Sequence, residues 1–282
     1  MSSDRGPVPS AARPREDFRL LGLGLLLTPA AVAAAAYALP HVHVASGLAD
    51  ATAFAGAALF PIIGLSLAAS VEAPLALALG VAGFAAALLL ALFALPPSAV
   101  ATLLVVVLVD GAQVSLSWAL GCSLGRRVQH PAHLFPACVV AAGADIVSLF
   151  SPEGPTHAIV ESERALSVLA VWFPVPGSSA VAPALGVGDL LFMALAFGVA
   201  RAHRLPYLRC VVACAAGTAL AGVAAAWSGL AIPALLPIAA ALVLALPTIR
   251  QLRRSDRKAA HWAMLIACSI ALGTVARSLL SR

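Results

Sequence analysis

The 282 residues are 62% hydrophobic and 10% charged, with a mean hydropathy of +1.00. A soluble globule, charged at about a quarter of its positions, is excluded, and a polytopic membrane protein is implied. The formal net charge of +5 comes almost wholly from arginine at segment boundaries, which reads as a topology signal and not as a nucleic-acid footprint.

Residues 1–17 are polar and rich in Pro and Arg, the composition of a disordered tail. The first apolar run covers about 18–39. Its Ala36-Tyr37-Ala38 ending resembles a signal-peptide cleavage site, but the run is long for a signal sequence and reads as a span. A short loop with His41 and His43 follows. From 49 to 125 the chain is nearly continuous apolar sequence, enough for three spans of about 20 residues. Glu72 and Pro96-Pro97 place the breaks, giving spans near 49–70, 73–95 and 98–124. The last of these carries Asp110, Gln113, Ser115 and Ser117, a polar stripe that must face other helices.

A fifth span, about 134–151, contains Asp145. Residues 152–180 are more polar, opening with a turn at Pro152-Glu153-Gly154-Pro155, and their second half, Ala165 to Phe173, is too short to span and reads as interfacial or re-entrant. The sixth span, about 182–200, holds Asp189. A seventh covers about 207–228, an eighth about 231–248 and a ninth about 259–279. All five cysteines lie in or beside apolar runs, so no disulfide framework is implied, and Cys210 with Cys214 reads as packing.

With nine spans, the tail and the loops after spans four, six and eight share a side. Those segments, counted with Arg19 and Arg209 at the adjoining span ends, carry 14 of the 17 Lys and Arg. The positive-inside rule then places the N-terminus in the cytoplasm and the loop between Asp145 and Asp189 outside. At 1.5 Å per residue, both aspartates lie about 10 Å from the outer ends of adjacent spans. Two carboxyls at one depth can meet across a helix interface, where they hold one proton between them. That is the arrangement of an aspartic protease, and equally of a structural or ion-coupled carboxylate pair in a transporter.

Gly186-Val187-Gly188-Asp189 matches the Gly-x-Gly-Asp motif of the presenilin and signal peptide peptidase group of intramembrane aspartyl proteases. Pro233-Ala234-Leu235 matches that group's Pro-Ala-Leu motif, and Asp145 sits one span before Asp189, where the group has its first aspartate. The stretch from Asp145 through the Gly154-Pro155 turn to Val160-Glu161-Ser162 resembles the presenilin branch, and the resemblance covers roughly 134–248. It implies a presenilin-like bundle of about nine transmembrane helices, with Asp145 and Asp189 catalytic. Gly186, Gly188, Pro233, Ala234 and Leu235 would shape the site and hold substrate. The organisation expected is a tail (1–17), an N-terminal bundle of four spans (18–133), a catalytic core (134–248), and a basic loop with an extra C-terminal span (249–282).

There are departures. Ala144 stands where the family has a tyrosine, and Pro183-Ala184-Leu185 is a second copy of the tripeptide. The aspartates fall on the fifth and sixth spans and Pro-Ala-Leu on the eighth, instead of sixth, seventh and last, so the site opens outward as in signal peptide peptidase. The chain has no His-Glu-x-x-His or Gly-x-Ser-Gly sequence. The expectation is a multi-pass protein of the cell membrane that hydrolyses single-span or signal-peptide-like helices in the bilayer, with no metal or organic cofactor and no nucleic-acid partner. The competing readings are an ion- or proton-coupled transporter using intramembrane aspartates and a catalytically silent membrane scaffold.

Overall fold

The structure, a computed structural model, describes residues 14–42, 46–94, 103–178, 180–228 and 232–280. It is mostly helical. Helix α1 (Pro14–Ala38) is followed by α2 (Ser46–Ala68), α3 (Leu75–Phe93) and α4 (Leu103–Arg127). Helix α5 (Leu134–Phe150) leads to two short helices, α6 (Pro155–Glu161) and α7 (Glu163–Leu169). Strands β1 (Ala170–Pro174) and β2 (Val181–Gly186) come next. The chain ends with α8 (Val187–Ala202), α9 (Tyr207–Ser228), α10 (Leu235–Ala245) and α11 (Arg254–Leu280).

Seven of these helices, α1 to α5, α9 and α11, are long and apolar enough to cross a membrane. Large hydrophobic side chains such as Leu79, Phe84, Leu90, Leu220 and Leu272 are exposed along them, which suits lipid contact and would be untenable over such an area in water. Helix α1 begins at Pro14, so the expected tail yields its last four residues to helix; residues 1–13, His43 and the Pro96-Pro97 break lie outside the described residues.

The all-helical expectation meets one exception. Residues 181–186, assigned by sequence to the start of a span, are the second strand of an antiparallel hairpin, and α8 begins only at Val187. Pro183 cannot donate within a helix and Gly186 disfavours one, so the apolar run is released into extended backbone. The expected interfacial segment becomes the end of α7 and β1. In register, Ala170 pairs with Gly186, Val171 with Leu185 and Trp172 with Pro183, with a bulge between Val171 and Trp172. Gly177, at φ 74°, turns the hairpin and donates its N–H to Leu39 O at 2.9 Å. Phe173 stacks on Phe60 of α2 with ring centroids 5.8 Å apart, docking the hairpin on the bundle.

Helix ends that face protein are capped by side chains from elsewhere. Trp118 Nε1 donates to Ala68 O at 3.0 Å and the Arg126 guanidinium to Ala69 O at 3.1 Å and to Val71 O, satisfying carbonyls past the C-terminus of α2. Arg164 does the same for α3, donating to Phe93 O at 2.8 Å while lying over the Phe93 ring. Helices α4 and α8 come into backbone contact through glycine. A Cβ on Gly121 would stand 2.5 Å from Leu191 O, and one on Gly125 would strike Leu195 O. This small-x-x-x-small spacing is the usual means of close helix approach in membranes.

Candidate functional site

Asp145 lies on α5, five residues before the end of that helix at Phe150. The turn that follows is fixed locally. Ser148 Oγ donates to Thr156 Oγ1 at 2.6 Å and accepts from Thr156 N at 2.8 Å, and a Cβ on Gly154 would collide with Ser148 O. This turn requires glycine, and it closes α5 about 8 Å beyond Asp145.

The Asp145 carboxyl reaches across the bundle to another helix end. Its Oδ2 accepts from Leu235 N at 3.1 Å. Leu235 is the first residue of α10, and Ala234 before it has no side chain that caps. The first amides of any helix lack internal partners, and Pro237, third in this one, has no N–H to satisfy. Leu236 N turns back to Pro233 O at 3.3 Å. Asp145 therefore supplies the missing cap, and the partial positive charge of the helix start favours an anion there.

Asp189 is the third residue of α8, and its Oδ2 accepts from Gly186 N at 3.1 Å. This is the backward half of a capping box, made on a glycine that has no side chain to return the bond. The sequence placed Asp189 some two turns inside a helix; the structure places it in the first turn, because the preceding residues are strand. Both carboxyls thus hold backbone N–H groups at helix starts, and among the described residues neither makes a further hydrogen bond.

Helices α5 and α8 touch, and Asp145 lies within electrostatic reach of Asp189. Both side chains are half-buried. A Cβ on Gly188 would meet nothing within 4 Å, Gly188 is exposed, and so is Ala144 beside Asp145. The approach to the carboxyls is open at these small residues. A Cβ on Gly186 would stand 3.5 Å from Asp189 Oδ2, so a larger residue there crowds the carboxyl directly.

Pro233, Ala234 and Leu235 all stand at this junction, Pro233 buried and the other two half-buried. The second copy of the tripeptide, Pro183-Ala184-Leu185, forms β2 instead. Identical sequences thus take two conformations, one delivering Asp189 and one receiving Asp145. Sequence reading found these residues but not the Leu235 to Asp145 bond, which joins positions 90 apart. It also missed the hairpin, for which Pro183 and Gly186 were the local signals.

The His130 and His133 side chains lie away from the carboxyls. His133 Nε2 pairs with Asp256 Oδ2 at 3.1 Å, and His130 Nδ1 accepts from Ala132 N at 3.2 Å, both at the opposite end of α5. Cys122, Cys138, Cys210 and Cys214 are buried free thiols and Cys268 is exposed. Among the described residues no group of three His, Cys, Asp or Glu side chains is placed to hold a metal ion. Comparison of the chain with protein-family models, curated proteins and solved structures finds no match.

Proposed function

We propose that the chain is an intramembrane aspartyl protease that hydrolyses peptide bonds of single-span or signal-peptide-like helices. The observation that carries this reading is that Asp145 lies within electrostatic reach of Asp189, the one held at Pro233-Ala234-Leu235 and the other in Gly186-Val187-Gly188-Asp189. A presenilin-like bundle of about nine spans belongs to the same proposal, with α8 and α10 as the two short ones. At 16 and 11 residues they cover only about 24 and 17 Å as helix, so non-helical backbone completes each crossing. Such backbone is tolerated at membrane depth only where it is enclosed by protein or lines a watery cavity. In this chain it adjoins the two carboxyls.

The reaction follows from two carboxyls that share one proton. The ionised one takes a proton from water, whose oxygen attacks the scissile carbonyl carbon. The protonated one hydrogen-bonds the carbonyl oxygen and gives up its proton as the gem-diol forms. Collapse then expels the amine, protonated by the carboxyl that first took the water's proton. The two-stranded sheet leaves one edge of β2 without a strand partner among the described residues. An extended peptide added along that edge is led to Asp189. The arginine distribution supports a cytoplasmic N-terminus and an outward-opening site in the cell membrane.

One observation favours an ion- or proton-coupled transporter instead: Asp110 is fully buried in α4 and its Oδ2 has no hydrogen-bond partner among the described residues. The two readings separate in a single preparation. Purified protein in lipid vesicles is expected to cut a tagged single-span substrate, and a peptide analogue with a hydroxyl-bearing carbon in place of the scissile carbonyl is expected to stop it. Gradient-dependent cation or proton flux without fragments would favour the transporter.

A further inference from the structure

We infer that Asp110 and Gln113 are positioning residues for this site: they clamp β1, and through it set the register that delivers Asp189 to the substrate bond. The inference rests on the protease reading.

Asp110 Oδ1 accepts from Trp172 N at 3.0 Å, and Gln113 Nε2 donates to Val168 O at 2.8 Å and Ala170 O at 2.9 Å. Both side chains are fully buried and stand one turn apart on α4. Strand β1 is thus held by the backbone of β2 on one side and by these two side chains as well. The connection to the site is short. Gln113 fixes the carbonyl of Ala170, Ala170 is the register partner of Gly186, and Gly186 N–H holds the Asp189 carboxyl. A one-residue slip of β1 against β2 would turn every side chain of the slipped strand to the other face and displace the start of α8.

The unused oxygens sharpen the assignment. Asp110 Oδ2 and Gln113 Oε1 are buried and have no hydrogen-bond partner among the described residues. What the strand takes from Asp110 is an acceptor oxygen at the Trp172 amide, and what Gln113 supplies is two donors, one at Ala170 O in the strand and one at Val168 O in the last turn of α7 that leads into it. The charge of Asp110 has no ion-pair partner in this contact. An amide of the same shape at position 110 keeps the required oxygen, whereas a hydrocarbon does not.

The test compares wild type with Asp110→Leu, Asp110→Asn, Gln113→Leu and Gln113→Glu in vesicles. Fragments of a tagged single-span substrate are mapped by mass, and amide hydrogen exchange over 170–174 and 181–186 is followed without substrate. Asp110→Leu, Gln113→Leu and Gln113→Glu are expected to lower kcat by about 10²-fold with a smaller change in KM, as a displacement of about 1 Å does to a reacting geometry. They are also expected to spread cleavage over neighbouring bonds and to speed exchange in both strands. Gln113→Glu keeps the size of the side chain and guards against a packing defect. Asp110→Asn is expected to restore wild-type cleavage positions and exchange. Wild-type positions and exchange in the leucine variants would overturn the clamp, and an Asp110→Asn variant as impaired as Asp110→Leu would overturn the acceptor role. A wild type that yields no fragments would overturn the protease reading and the cleavage-register claim with it. The exchange data then decide the clamp alone.

Discussion

At the scale of single residues, the site is made by what small residues leave open. Gly188 occupies the second position of α8 with nothing near the place of a Cβ, next to the carboxyl of Asp189. Glycine within a helix costs about 0.5–1 kcal/mol relative to alanine. Gly188→Ala is therefore expected to stabilise the protein by up to about that amount while narrowing the approach and slowing cleavage. Denaturation in mild detergent and cleavage rates in lipid measure the two effects separately, and an unchanged cleavage rate would remove Gly188 from the substrate path. The Gly-Val-Gly-Asp pattern was readable because an acidic residue in an apolar run is costly and conspicuous. The Leu235 to Asp145 bond was not, since nothing local to either residue marks the other.

At the scale of elements, the seam between α4 and α8 holds the helix that bears Asp189 in place. Gly121 and Gly125 lie against the backbone of Leu191 and Leu195, and Gly198 against that of Cys122. These contacts involve backbone atoms, which cannot move aside as a flexible side chain does. Gly125→Val is expected to push the helices apart and to destabilise the fold by at least about 1–3 kcal/mol. A lowered midpoint in steric trapping or thermal unfolding would show it; an unchanged midpoint would mean that the seam has slack. The strand β2 shows why this element escaped sequence reading. A short apolar run has the same composition in a buried strand and in a spanning helix, and only Pro183 and Gly186 argued against helix. Asp110 and Gln113 were visible as a polar stripe that had to face protein, but their partners are backbone groups of β1 and of the end of α7, which carry no sequence signal.

At the scale of the whole molecule, the long apolar helices were legible because each needs about 20 apolar residues and little else. The two short helices were drawn too long for the same reason: apolar sequence continues past the point where helix stops. The C-terminal helix, an addition to the expected core, packs along the helix that bears Asp145. A Cβ on Gly143 would stand 3.2 Å from Ala267 O, and His133 at the far end of α5 pairs with Asp256 of α11. Helix α5 is thereby held between α10 and α11, and Asp145 is fixed at the start of α10.

The central claim is that Asp145 and Asp189 act as one hydrolytic unit. The direct measurement is cleavage of a tagged single-span substrate by purified protein in lipid, comparing wild type with Asp145→Asn and Asp189→Asn. Each substitution keeps the shape and an acceptor oxygen for Leu235 N or Gly186 N, and removes one titrating carboxyl. Fragments from wild type and a loss of at least about 10²- to 10⁴-fold in each variant, with unfolding midpoints near wild type, are expected. Cleavage that persists in either variant would contradict the two-aspartate mechanism.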